Sequence, residues 1–213
     1  MTTRSDIPNR LIYTCNCGWV DKGHANSKST RPHYGVESLW RQIQNKSGTR
    51  TSWPFKGYLV VYGQDMRKFG VGVAYEGKYL VAQQLSLQQM ESVALGIFLE
   101  VSFGFEALQW WTGAPGSSFS EEDLVSNLLG FYSVVRPHID VMKLCGEVSP
   151  EASLAVWDAS DGLGKNKTTQ PVFHACAECK QAPSFPQQLQ QIQPARKGKR
   201  GGNLWRDWQG QGF

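Results

Sequence analysis

The sequence predicts an α+β fold: a mainly helical single domain around a buried central helix, with a small antiparallel sheet. Three observations carry that expectation. Residues 86–111 repeat apolar side chains at helical spacing on two sides. Val36, Leu39, Trp40 and Ile43 fall at i, i+3, i+4 and i+7, the stripe of an amphipathic helix. Two runs rich in β-formers, YLVVYGQ and FGVGVAYEGKYLVAQQ, lie between residues 58 and 84.

The elements follow in order. Residues 1–9 are polar and are expected to be disordered. RLIYTC reads as a short strand, and HYGVESLWRQIQ as a helix near 34–44. Glu76-Gly77-Lys78 is expected to turn a β-hairpin. In the long segment Met90, Ala94, Ile97, Val101, Phe105 and Leu108 form one stripe, with Leu95 and Leu99 on the opposite side. A helix apolar nearly all round is expected to be buried on several sides. Ser120 and Asp123 stand at capping-box spacing, starting a helix over 120–134, and Glu121 and Glu122 suit its positive N-terminal end. SPEASLAVWD is another helix start. The globular domain is assigned to 10–180, and 181–213 to a mobile tail rich in Gln, Pro and Gly.

The 213 residues are 40% hydrophobic and 19% charged, enough for a real core. Net charge is +4, with much of the excess in Arg196, Lys197, Lys199, Arg200 and Arg206. Such a basic tail suits a polyanion or protein partner, or is a solvated tail. The N-terminal MTTRSDIPNR lacks an apolar run, and no stretch of about 18 apolar residues occurs, so no membrane span is expected. The expected location is the cytoplasm, or outside it by a signal-independent route. Phosphate-loop, zincin and nucleophile-elbow motifs are missing.

Polar residues on apolar elements are the candidates for chemistry. Glu100 and Glu106 lie on the buried helix, where an ionised carboxylate needs a partner or a proton. Their separation of about 9 Å along a helix allows them to line one cleft without sharing a ligand atom. Asp21 and His24, three apart, suit an imidazole oriented by a carboxylate, or two metal ligands. The bland reading of each is a capping Asp, a structural His and solvated glutamates. Cys15 and Cys17 with Cys176 and Cys179 could close a tetrahedral zinc site, with His174 and Cys145 nearby in the pattern. Free buried thiols, a disulfide or a redox role compete with it, thiols and metal ligands coming before disulfides.

Three segments carry a family resemblance. LIYTCNCGWVDKGHA, FLEVSFGFEALQWW and SSFSEEDLVSNLLGFY resemble, in order, three motifs of the bacterial family carrying the domain of unknown function 4056. The likeness spans roughly residues 10–135, and SFSEEDLVSNLLG is its most specific part. The matching polar positions are Cys15, Asp21, His24, Glu100, Ser102, Glu106, Glu122, Asp123, Ser126 and Asn127. Phe105 stands where that family often has His, and Cys17 where it has Gly. The family brings no established activity.

The functional expectation is therefore a hydrolase with a cleft of Asp21, His24, Glu100 and Glu106. His24 would be base or ligand and one glutamate the general acid, with Asp123 a cap. One alternative is a non-catalytic binding or effector protein using its basic tail. The other is a thiol hydrolase with Cys15 as nucleophile and His24 or His174 as base.

Overall fold

In chain order the computed structural model contains β1 (Leu11–Thr14), β2 (Gly18–Asp21), α1 (Val36–Asn45), β3 (Arg50–Thr51), β4 (Gly57–Lys68), β5 (Val71–Ala82), α2 (Leu87–Thr112), α3 (Asp123–Val135), α4 (Val141–Cys145), α5 (Pro150–Ser160) and β6 (Leu204–Asp207). The structure describes residues 2–25, 31–51, 56–68, 71–112, 118–196, 198 and 202–207. The class is α+β, with a two-stranded and a four-stranded antiparallel sheet. The chain divides into two units rather than the expected single domain. One comprises residues 1–27 and 109–191, the other 28–108 and 192–213. Among the described residues no helix is long and apolar enough to cross a membrane.

The first unit is organised by the β1–β2 hairpin, in register Leu11↔Asp21 to Thr14↔Gly18. Gly18 has φ +65°, and a Cβ there would lie 2.3 Å from the Val172 carbonyl oxygen, so only glycine fits. Residues 145–148 continue the sheet: Val148 N–H donates to the Tyr13 carbonyl, and Cys15 N–H to that of Gly146. Ile7, Leu11, Tyr13, Trp19, Val148 and Val156 form the core. Trp19 stands edge-on to Tyr13 at 5.2 Å and to Trp157 at 5.8 Å, arrangements that suit the ring quadrupoles. Ser149 caps α5 by accepting the Ala152 N–H, and Pro150 follows at a position where its missing donor costs nothing. The N-terminal residues are anchored rather than disordered. Arg4–Asp6 forms a 3-10 turn, Ile7 is buried, and Arg4 grips Asp158 through two hydrogen bonds.

The second unit is the sheet β3-β4-β5-β6 with α1 and most of α2. Val36, Leu39, Trp40 and Ile43 are all buried, as the α1 stripe requires. Gln42 fixes α1 to β4 by bonding both the N–H and the carbonyl of Val61. On α2, Ala94, Ile97, Val101 and Phe105 are buried together with Leu95. Burial pushes the Tyr58 phenol up to about 12 and the Tyr62 phenol further still.

Two local expectations are corrected. Glu76-Gly77-Lys78 does not turn a hairpin: β5 runs straight through it, with Gly77 opposite Tyr62. Gly77 is needed because a Cβ there would lie 2.4–2.6 Å from the buried Tyr79 ring, its same-face neighbour two residues on. The span 181–213 is not a uniform tail. Phe185, Leu189 and Ile192 are buried, and β6 pairs with β5, Leu204 opposite Val81. Apolar residues spaced among Gln and Pro supply that anchorage. Lys197, Lys199 and Arg200 of the basic run lie outside the described residues.

Replacing Gly77 by Ala should cost about 1–3 kcal/mol through overpacking against Tyr79. Urea denaturation checks this; a cost within ~0.5 kcal/mol of zero would mean that the ring yields freely.

Candidate functional site

The polar constellation of the first unit starts at the end of β2. One carboxylate oxygen of Asp21 accepts the N–H groups of Gly23 (2.7 Å) and His24 (3.3 Å), and its carbonyl accepts that of Ala25 (2.9 Å). This is the turn that an Asp side chain makes with its own downstream backbone. Arg10 neutralises the buried Asp21, with N···O distances of 2.7 and 3.1 Å.

One face of α3 receives that turn. Ser126 Oγ accepts the Asp21 N–H at 2.8 Å, with both groups buried. One helical turn on, Gly130 lets the backbone approach: a Cβ there would lie 2.8 Å from the Ala25 carbonyl oxygen. Glu122, Ser126 and Gly130 are spaced i, i+4, i+8 and share that face.

Three consecutive carboxylates open α3, and each meets different partners. Glu121 is buried. One of its oxygens lies 2.5 Å from His174 Nε2, and the other accepts the Gly164 N–H at 3.1 Å. His174 is itself held by the Tyr13 hydroxyl, which accepts its N–H (2.7 Å) and donates to its carbonyl (2.9 Å). Asp123 takes the Ser120 N–H on one oxygen (2.8 Å), but α3 starts at Asp123 with Glu122 as its N-cap, so the capping box expected at Ser120 is not the start of the helix. Its other oxygen lies 3.1 Å from His24 Nδ1. Glu122 is 0% exposed. The Thr2 hydroxyl donates to one of its oxygens at 2.8 Å, and the other has no hydrogen-bond partner among the described residues. Burial first, and then the adjacent Asp123 charge, push the Glu122 carboxyl above its ordinary range, while the Ser120 and Thr2 hydroxyls act the other way. The net shift is upward.

The site thus holds an imidazole 3.1 Å from a carboxylate oxygen, beside a carboxyl group biased to keep its proton. The His24 side chain is 31% exposed, so solvent and a ligand reach it. Such a set can take up one proton and give another.

Sequence reasoning named Asp21 and His24 and paired them, but the pairing differs. Asp21 orients His24 through its backbone, and Asp123 takes the ring. Glu100 and Glu106, expected in the same cleft, lie on the part of α2 that belongs to the second unit, Glu106 buried and Glu100 half-buried. Arg10, Glu121, Glu122 and His174 were not foreseen in these roles. The acidic run was visible, but its burial was not, because the helix N-terminus alone explains acidic residues there.

The cysteine expectations also change. Cys15 is bonded to Cys179 and Cys17 to Cys145, with Cα separations of 5.4 and 5.1 Å; Cys176 is free. Disulfide sulfurs are not thiolates, so this pairing leaves no Cys15–Cys17–Cys176–Cys179 ligand set for zinc and no nucleophile at Cys15. Among the described residues no group of three or more His, Cys, Asp and Glu is arranged to hold a metal ion. Comparison with family models, with curated proteins and with solved structures finds no match.

Ser126→Ala leaves the Asp21 N–H without its buried acceptor and should cost about 1–3 kcal/mol by chemical denaturation. The raised Glu122 gives a pH signature. A folded state that holds the proton more tightly is favoured below the ordinary carboxylate range. It loses that advantage as pH rises through the higher folded value. The melting temperature of Glu122→Gln should therefore gain on that of the native chain as pH increases; parallel curves would remove the buried-acid assignment. Thiol titration of the unreduced chain in denaturant should find a single reactive thiol per chain.

Proposed function

We propose that the chain is a hydrolase working by acid–base chemistry. His24, oriented by Asp123, acts as the base, and Glu122 as the acid. The observation behind this reading is the 3.1 Å His24–Asp123 pair beside a fully buried Glu122 with an oxygen lacking a hydrogen-bond partner among the described residues. A carboxylate on Nδ1 directs the other ring nitrogen towards a water or hydroxyl proton. The neutral acid then protonates the leaving group, an ordinary division of labour between groups whose surroundings push their proton affinities apart. Arg10 and the N-terminal end of α3 offset the surrounding negative charge.

The same reading supports kinship with the bacterial family carrying the domain of unknown function 4056. The residues of SFSEEDLVSNLLG that carry the resemblance have physical tasks here: Glu122 is buried, Asp123 holds His24, Ser126 accepts the Asp21 N–H, and Gly130 admits Ala25. We also place the working chain in an oxidising compartment, because two disulfides tie the hairpin tip to residues 145 and 179.

A second reading, a non-catalytic binding protein, draws on a different feature. Trp110 and Trp111 are 71% and 80% exposed, with Lys167 Nζ 5.9 Å from the Trp110 ring centre. Exposed tryptophans beside a cation suit a partner surface.

A panel of chromogenic ester, amide, glycoside and phosphoester substrates distinguishes the two. At least one class should be turned over, with His24→Ala and Asp123→Asn each lowering the rate about 10²–10⁴-fold while the melting temperature changes little. Turnover that survives His24→Ala, or no turnover in any class, overturns the hydrolase reading.

A further inference from the structure

We propose that Cys176 is a thiol–disulfide exchange site acting on the Cys15–Cys179 bond. Three observations carry this. Cys176, Cys179 and Cys15 all pack against the same apolar cluster, around Tyr13, Trp19 and Val156. Cys176 and Cys179 are the ends of a single turn, closed by the Cys179 N–H donating to the Cys176 carbonyl at 3.2 Å. The ends of such a turn lie within about 7 Å between Cα atoms, overlapping the ~4.4–6.8 Å that a disulfide spans. Cys176 is the free thiol among five cysteines and is partly exposed, so base and solvent reach it.

The step balances without an external oxidant. The Cys176 thiol loses its proton to solvent, and the thiolate attacks the Cys179 sulfur. The Cys176–Cys179 bond forms as the Cys15–Cys179 bond breaks, and Cys15 leaves as a thiolate that takes up a proton. One disulfide is exchanged for another, and the number of thiols is unchanged.

The two pairings suit different states of the chain. Cys15–Cys179 joins residues 164 apart, so it depends on the folded core to bring its ends together. Cys176–Cys179 closes a short loop, whose ends meet at little entropic cost without the core. Folding therefore selects the long-range bond and loosening selects the short one. Cys176 makes the choice reversible. The exchange also acts on the segment that presents His174 to Glu121, since residues 174–179 lose their covalent tie to the hairpin tip at Cys15. The inference stands apart from the acid–base reading.

Disulfide mapping tests it on the full chain. The protein is held at about pH 8, where thiolates form, with and without urea, then acid-quenched, alkylated, digested and mapped by mass spectrometry. The Cys176–Cys179 peptide with alkylated Cys15 should appear, increase in urea, and be lost in Cys176→Ser and in chain pre-treated with N-ethylmaleimide. The proposal is overturned if Cys15–Cys179 stays the sole pairing of that set in both conditions while Cys176 is alkylated. It is equally overturned if Cys15 and Cys179 are thiols from the start.

Discussion

The buried hydrogen bond from the Asp21 N–H to Ser126 Oγ is the contact on which the candidate site depends. It joins the end of β2 to α3 where both are closed to water, so a missing partner would be costly. It also sets the level at which α3 lies. With Ser126 fixed, Gly130 falls against Ala25, and Asp123 falls against the His24 ring. A side chain at 130 would wedge the two apart and break the series from its far end.

That docking creates an electrostatic difficulty: Asp21, Glu121, Glu122 and Asp123 are all buried. Each is relieved differently. Asp21 has Arg10 and two backbone donors, Glu121 has His174 and the Gly164 N–H, and Asp123 has the Ser120 N–H and His24. Glu122 is met by the Ser120 and Thr2 hydroxyls, and burial still pushes its carboxyl above the ordinary range. This gradation matters more than the number of carboxylates. Charged partners orient three of the carboxylates, whereas burial pushes Glu122 towards its neutral form.

The disulfides fit the same region. The hairpin tip Cys15-Asn16-Cys17 sends one bond to Cys179 and one to Cys145. Tyr13, next to that tip, holds the His174 backbone by two hydrogen bonds. The covalent ties and the His174–Glu121 pair thus stabilise one arrangement from two directions.

Some of this was legible in the residues alone. The α1 stripe, the α5 cap, the long α2 and the two strands of the 58–84 region follow from local periodicity and turn chemistry, which tertiary contacts here did not override. Asp21 and His24 could be picked out because polar residues in an apolar setting need a reason. Other features were decided only in three dimensions. Gly77 reads as a turn by composition but yields space to Tyr79, a contact across one face of a strand. Glu122 reads as a favourable helix-start charge, yet it is buried and bonded by Thr2, 120 residues away. Of the four cysteines at ligand-like spacing, Cys15 and Cys179 bond to each other, Cys17 bonds to Cys145 and Cys176 stays free, pairings that span 164 and 128 residues. Local pattern determines which elements form. Burial and long-range proximity, which no window of sequence contains, determine the protonation, pairing and chemistry of the residues on them.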